Sequence, residues 1–174
     1  MTTSADILAD GFERVRSTSH GAGQGLTRTT LEAKVDPETN TIIWLLWHIG
    51  RGQDAEVSGL MGEEQVWTEG GWSSRFGLDL PDGSTGYAHT PEDVSKVSGS
   101  DIELYLDYID AVCDRSINYV GELSDADFDD IVDERFTPPV TRAVRLFSVI
   151  SDDLQHAGQA AILRGILERA GVKS

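Results

Sequence analysis

The stretch that most limits how this chain can fold is its last one. Pro138-Pro139 disfavours helix just upstream, Thr141 can cap a helix, and from there to Gly171 apolar residues recur at helical intervals. Phe147, Ile150, Leu154, Gly158 and Ala161 form one line at spacings of 3, 4, 4 and 3, the pattern expected of a core face. Val149, Ala160, Leu163 and Leu167 form a second line, within about 60° of one another on a helix that turns roughly 100° per residue. His156 falls in that second sector with Asp152 four positions before it, so polar groups interrupt an apolar line.

Three earlier segments also read as helices. From Asp6 to about Ser17, Ile7, Leu8, Phe12 and Val15 keep helical spacing, and the glycine-rich segment from His20 to Gly25 that follows reads as a loop. Asn40 can cap the second helix, where Ile42, Leu45, Leu46, Ile49 and Leu60 mark one face and Trp44 and Trp47 widen it. Ser100-Asp101-Ile102-Glu103 has the form of a capping box and opens a third helix to about Val120, with Gly121 available to end it. An acidic turn, Leu123 to Asp133, leads to the last helix. Between the second and third helices lies a long stretch from about Gly62 to Gly99, rich in Gly, Pro, Asp and Ser yet carrying Trp67, Trp72, Phe76 and Tyr87. Loops of that length in compact domains are often lids or binding segments, and the aromatics predict that this one packs down. With no internal repeat, the expectation for residues 1–174 is a single all-α domain: a four-helix bundle with a long loop between helices 2 and 3.

Thirty acidic against 14 basic residues give a net charge of -16, which repels a phosphate backbone and argues against nucleic acid as a partner. No apolar run approaches the roughly 18–20 residues of a membrane span, and the polar start Met1-Thr2-Thr3-Ser4 lacks the layout of a signal peptide. Cys113 is the one cysteine and reads as a small core residue, so nothing calls for an oxidising compartment. A cytoplasmic protein is expected.

Four-residue spacing stacks Asp152 and His156 on one helix face, where both can bind one ion. A third ligand has to come from a facing helix, and His48 is the one other histidine embedded in a strongly apolar helical run. Two imidazoles and a carboxylate would leave coordination positions open for water or substrate. On spacing alone a second reading stands beside this one: buried histidines with ordinary hydrogen bonds, and Asp152 paired with Arg145 or Arg51.

Ile43-Trp44-Leu45-Leu46-Trp47-His48-Ile49, the run from Asp152 to Ala161, Gly71-Trp72 with Arg75-Phe76-Gly77-Leu78, Thr85-Gly86-Tyr87 with His89-Thr90-Pro91, and Pro138-Pro139-Val140-Thr141 together resemble the DinB-like superfamily of metal-binding four-helix bundles. The likeness is to its actinobacterial mycothiol-dependent branch of S-transferases and a maleylpyruvate isomerase, and it extends over nearly the whole chain. Matched position by position, it implies His48, Asp152 and His156 as metal ligands. The first member of the pair is Asp here, where the family usually has His or Glu, and its shorter stem reaches less far. Asp153, about 100° away, matches the pattern poorly.

The resemblance implies a divalent metal, zinc first with nickel, cobalt or manganese as alternatives. It further implies mycothiol as thiol co-substrate, a small electrophile as the other partner, and a homodimer as an assembly to consider. The implied activity is metal-dependent conjugation of the thiol to the electrophile, the metal favouring the thiolate. The runner-up expectations are a non-catalytic metal- or ligand-binding stress-response protein and a metal-dependent hydrolase. Trp72, Arg75, Tyr87 and His89 are candidate substrate or loop contacts. His89 could act as an acid, base or substrate contact or could stabilise the loop. Arg75 could meet a carboxylate or lie at the surface, and Trp72 could line a pocket or pin the loop. His20 is expected to face solvent, and the glycines beside it lack the Lys-Ser or Lys-Thr of a phosphate loop.

Overall fold

The computed structural model describes residues 1–99 and 101–172. Four long helices, α1 (Ser4–Gly23), α3 (Ile42–Met61), α7 (Ile102–Glu122) and α8 (Arg142–Arg169), form the bundle. Short helices α2 (Arg28–Leu31), α4 (Val66–Glu69), α5 (Trp72–Phe76) and α6 (Pro91–Lys96) occupy the connections. The segment read as an acidic turn contributes β1 (Ile131–Asp133), paired antiparallel with β2 (Val140–Thr141).

Local chemistry sets the helix ends. Thr3 caps α1 and exchanges hydrogen bonds with Asp6 in a full capping box. Thr41, rather than Asn40, caps α3 by accepting from the Trp44 amide. Thr141 caps α8 as the sequence predicts, accepting from the Val144 amide. The capping box expected at Ser100 involves a residue outside those described.

α1 and α3 each pack against both α7 and α8, so α1 lies diagonally across from α3 and α7 across from α8. The core between them includes Phe12, Val15, Leu46, Ile49, Leu106, Ile109, Val112 and Leu146. α1 runs six residues beyond the expected Ser17, through part of the glycine-rich segment. At Gly23 a Cβ would stand 2.6 Å from Leu46 Cδ1, so the glycine permits close packing there instead of ending the helix.

The face α8 buries differs from the first line predicted. Leu146, Val149, Ile150, Asp153, Ala157, Ala160 and Leu167 are buried, while Phe147 is 66% exposed and Ala161 is exposed. Leu154 and Gly158 are only partly covered. The reason is geometric: α8 sits in the angle between α1 and α3 and turns toward them the sector of the second line, widened by Ile150 and Ala157.

The long stretch after α3 is strapped down by two charged residues of α3 itself. Asp54 accepts from the Val66 and Trp67 amides at 2.9 and 2.8 Å, at the start of α4, and from Tyr108 Oη at 2.7 Å. Arg51, with no exposed surface, donates to the Ser84 and Asp82 carbonyls at 3.1 and 3.2 Å and to Gln65 Oε1 at 2.9 Å. Its guanidinium lies 4.5 Å from the Trp67 ring centroid. Trp67, Trp72 and Phe76 close over Tyr105 and Tyr108. Among the described residues no helix is long and apolar enough to cross a membrane.

Candidate metal centre

His48 lies in the second turn of α3 and His156 midway along α8, and the two rings meet edge to face with centroids 4.7 Å apart. Asp152, one turn before His156, places Oδ2 3.6 Å from His156 Nε2. One donor atom from each of His48, Asp152 and His156 lies within 4.8 Å of the others. The trio predicted from spacing is therefore brought to one point. Asp152 has no link to Arg145 or Arg51: Arg145 pairs with Glu56 and Asp133, and Arg51 with Asp54.

The imidazoles are oriented as ligands need to be. His48 Nδ1 donates to the Thr85 carbonyl at 2.5 Å, and His156 Nδ1 donates to Gln159 Oε1 at 3.2 Å. In each ring the Nδ1 proton is committed and Nε2 keeps its lone pair, the tautomer in which histidines bind metals with a carbonyl behind them. Burial lowers the His48 pKa and outweighs the carbonyl contact, and the neighbouring His156 lowers it further, so the ring is neutral at pH 7. Bonds of about 2.0–2.2 Å to one ion allow donors to be no more than about 4.4 Å apart, so binding would draw the trio together slightly. The Asp152 side chain is 63% exposed and has room to make that move. The donor chemistry thus fits a divalent ion, but the cluster sits at the solvent-facing seam of α3 and α8, not deep in the bundle as the sequence suggests.

The loop after α5 closes over His48 at close quarters. Gly86 has φ +98°, and a Cβ there would stand 2.7 Å from His48 Nδ1 and 3.0 Å from the Trp44 ring. Ala88 also takes a left-handed φ of +59°, so Tyr87 is held between two unusual backbone positions and is 90% exposed. His89 accepts from Trp44 Nε1 at 3.1 Å through Nδ1, contacts Ser84 Oγ at 2.8 Å through Nε2 and stacks on Trp47. Both its nitrogens are engaged in holding the loop.

A cavity of about 230 Å³ adjoins the cluster, walled by His48, Glu56, Thr85, Tyr87, Asp152 and Asp153 among others. Trp72 and Arg75 are not in its wall: Trp72 is buried against Tyr108, and Arg75 stacks over the Trp72 ring at 3.8 Å. Asp153, set aside on spacing, is 2% exposed, and its Oδ2 has no hydrogen-bond partner among the described residues. Burial, with Asp152 alongside, raises its pKa well above the usual carboxylate range. Sequence reading also missed Arg51 and Asp54. The available signal was two charges on a helix face otherwise apolar, which requires internal partners.

Two imidazoles and a carboxylate gathered from facing helices of a bundle form a donor set that could hold one metal ion. The chain belongs to the DinB superfamily, whose family model matches residues 11–160. Its structure is similar to a crystal structure described as that of the conserved protein of locus from Enterococcus faecalis. The two are 30% identical with a TM-score of 0.88, over 94% of this chain and 96% of that one. No curated protein matches the chain.

Proposed function

We propose that the protein is a metal-dependent thiol S-transferase that joins mycothiol, or a related low-molecular-weight thiol, to a small electrophile in the cytoplasm. The observation that carries this reading is the convergence of His48, Asp152 and His156 beside an open cavity, with both Nε2 lone pairs free. His48 and His156 would hold the ion through Nε2, and Asp152 would complete the protein's share with a carboxylate oxygen. A divalent ion there would favour thiolate over thiol near neutral pH, which is the chemistry it supplies.

The chain's own residues do the rest. The Thr85 and Gln159 oxygens fix both imidazoles, and Tyr87 covers one side of the cavity. An open groove lined by Glu56, Arg145, Phe147, Val149 and Gln155 continues from Asp152 along α8 and offers the electrophile a mixed polar and apolar surface. In the transfer, the thiolate sulfur forms a bond to the electrophilic carbon, the leaving group departs with its electron pair, and the thiol proton goes to solvent. The nucleophile has to be brought in, because Cys113 is buried and its pKa is pushed up to about 12, chiefly by desolvation.

The test is to incubate the zinc-loaded protein with a bromobimane and either mycothiol or bacillithiol. A thiol conjugate formed faster than without protein, and lost on chelation, supports the reading. Absence of conjugation with both thiols would favour a binding protein of the same fold. Turnover of an ester or amide without thiol, lost on chelation, would favour a hydrolase.

A further inference from the structure

Three aromatic side chains stand largely in solvent among the described residues: Tyr87 at 90% exposure, Phe147 at 66% and Phe136 at 55%. Apolar groups exposed singly are ordinary on a protein surface, so what carries meaning is where these rings lie. Tyr87 is in the wall of the 230 Å³ cavity beside the donor trio, and Phe147 is in the wall of the open groove, about 450 Å³, along α8. The two walls share Glu56, Val149 and Asp152, so the spaces meet at one of the candidate ligands.

Tyr87 is also held where it is. Its neighbours Gly86 and Ala88 take φ of +98° and +59°, and Ala88 is the one residue other than glycine with a left-handed φ among those described. Such conformations cost free energy and recur at ligand clamps. The loop is fastened on both sides, by the Thr85 carbonyl to His48 and by the His89 ring to Trp44. The fold thus keeps an uncovered ring at the mouth of the site and gains little packing from it.

We propose that the electrophile taken by this site carries a flat aromatic group, which lies against the Phe147 and Tyr87 rings while its reactive carbon faces the donor trio. The idea rests on the S-transferase reading and narrows it to one class of electrophile. Aromatic rings pair in offset or edge-to-face arrangements and gain from that geometry beyond the area they bury. A saturated ring of similar bulk covers the same surface without that gain.

The experiment supplies the zinc-loaded full chain with mycothiol and three α-bromoketones that differ in one group: phenacyl bromide, its cyclohexyl counterpart and bromoacetone. In each, the thiol sulfur bonds to the methylene carbon, bromide leaves with the bonding pair, and the thiol proton goes to solvent. With kcat/KM divided by the uncatalysed rate constant, phenyl should exceed cyclohexyl by about tenfold, as expected for stacking on two rings. In the Tyr87→Ala/Phe147→Ala double variant that preference should fall to within about twofold, and in Tyr87→Phe/Phe147→Tyr, which keeps both rings, it should stay. General damage to the site lowers all three rates together and leaves the ratio unchanged. Equal use of phenyl and cyclohexyl by wild type overturns the inference and leaves the thiol reading intact. So does a preference that survives removal of both rings, or one lost while both are kept.

Should none of the three be conjugated, the thiol reading fails by itself. The aromatic platform is then decided by calorimetric titration of zinc-loaded protein with benzohydroxamate and cyclohexanecarbohydroxamate, which share the metal-binding group. A benzohydroxamate preference of about fivefold or more that disappears in the double alanine variant upholds it. Equal affinity, a preference unchanged in that variant, or no binding of either compound overturns it.

Discussion

Cys113 shows how one side chain's surroundings decide its chemistry. It lies within the core, contacts Gln53 at 3.7 Å, and has its pKa raised from 9.0 to about 12. The native thiol is therefore expected to resist a disulfide reagent such as DTNB at pH 8 and to react fully once the chain is unfolded. The raised pKa also fixes a sign for stability. The folded state keeps the proton that the unfolded state gives up, so this contribution is complete below about pH 9 and is lost as pH rises toward 12. Chemical denaturation at pH 7.5, 9 and 10 should show wild type losing stability with pH more steeply than Cys113→Val. Parallel slopes would mean that the thiol is not so deeply shielded. From the sequence, a lone cysteine already suggests a core residue; how far burial moves its titration depends on packing that only the fold supplies.

At the scale of the element, the stretch between α3 and α7 is legible in one respect and hidden in another. Its aromatics signal that it packs down, and Trp67, Trp72 and Phe76 do so against Tyr105 and Tyr108. What holds it is the pair Arg51 and Asp54, whose partners include four backbone groups 12 to 33 residues away, and no spacing rule reveals such bonds. Arg51→Met should destabilise the fold by about 3–5 kcal/mol, since it leaves Asp54 buried without its cation. Arg51→Lys should recover little of that, because an ammonium cannot reproduce the guanidinium fork. Urea titration of the two variants measures both effects.

Gly86→Ala acts on the same loop at a different point. Its Cβ would collide with His48 Nδ1 in a backbone conformation that disfavours any side chain. Metal affinity is expected to fall at least tenfold with a much smaller change in stability, read by competition with a chromophoric chelator alongside thermal melting. In α8 the apolar line through Phe147 misled because two apolar lines share one helix. Which of them is buried depends on where α1 and α3 lie.

For the whole molecule, the four long helices were readable because caps and apolar periodicity are local, whereas their diagonal arrangement comes from contacts between distant segments. The donor trio was legible for a related reason. An i, i+4 pair is local, and one histidine in an apolar run leaves few candidates for a third donor. Its position at a solvent-facing seam was not legible, since exposure is set by the neighbouring helices and the loop over His48. A bound ion should stabilise the entire bundle, because the donors come from two helices that unfolding separates. At a free zinc concentration of 100 times Kd the gain is about 2.7 kcal/mol, visible as a rise in Tm that chelation reverses.

The most direct test is an anomalous scattering map of crystals grown with zinc, paired with elemental analysis of wild type and His156→Ala. The expected result is one ion per chain within bonding distance of His48 Nε2, His156 Nε2 and an Asp152 carboxylate oxygen, with zinc absent from the variant. An ion bound elsewhere, or a variant that retains the wild-type zinc content, would contradict the account.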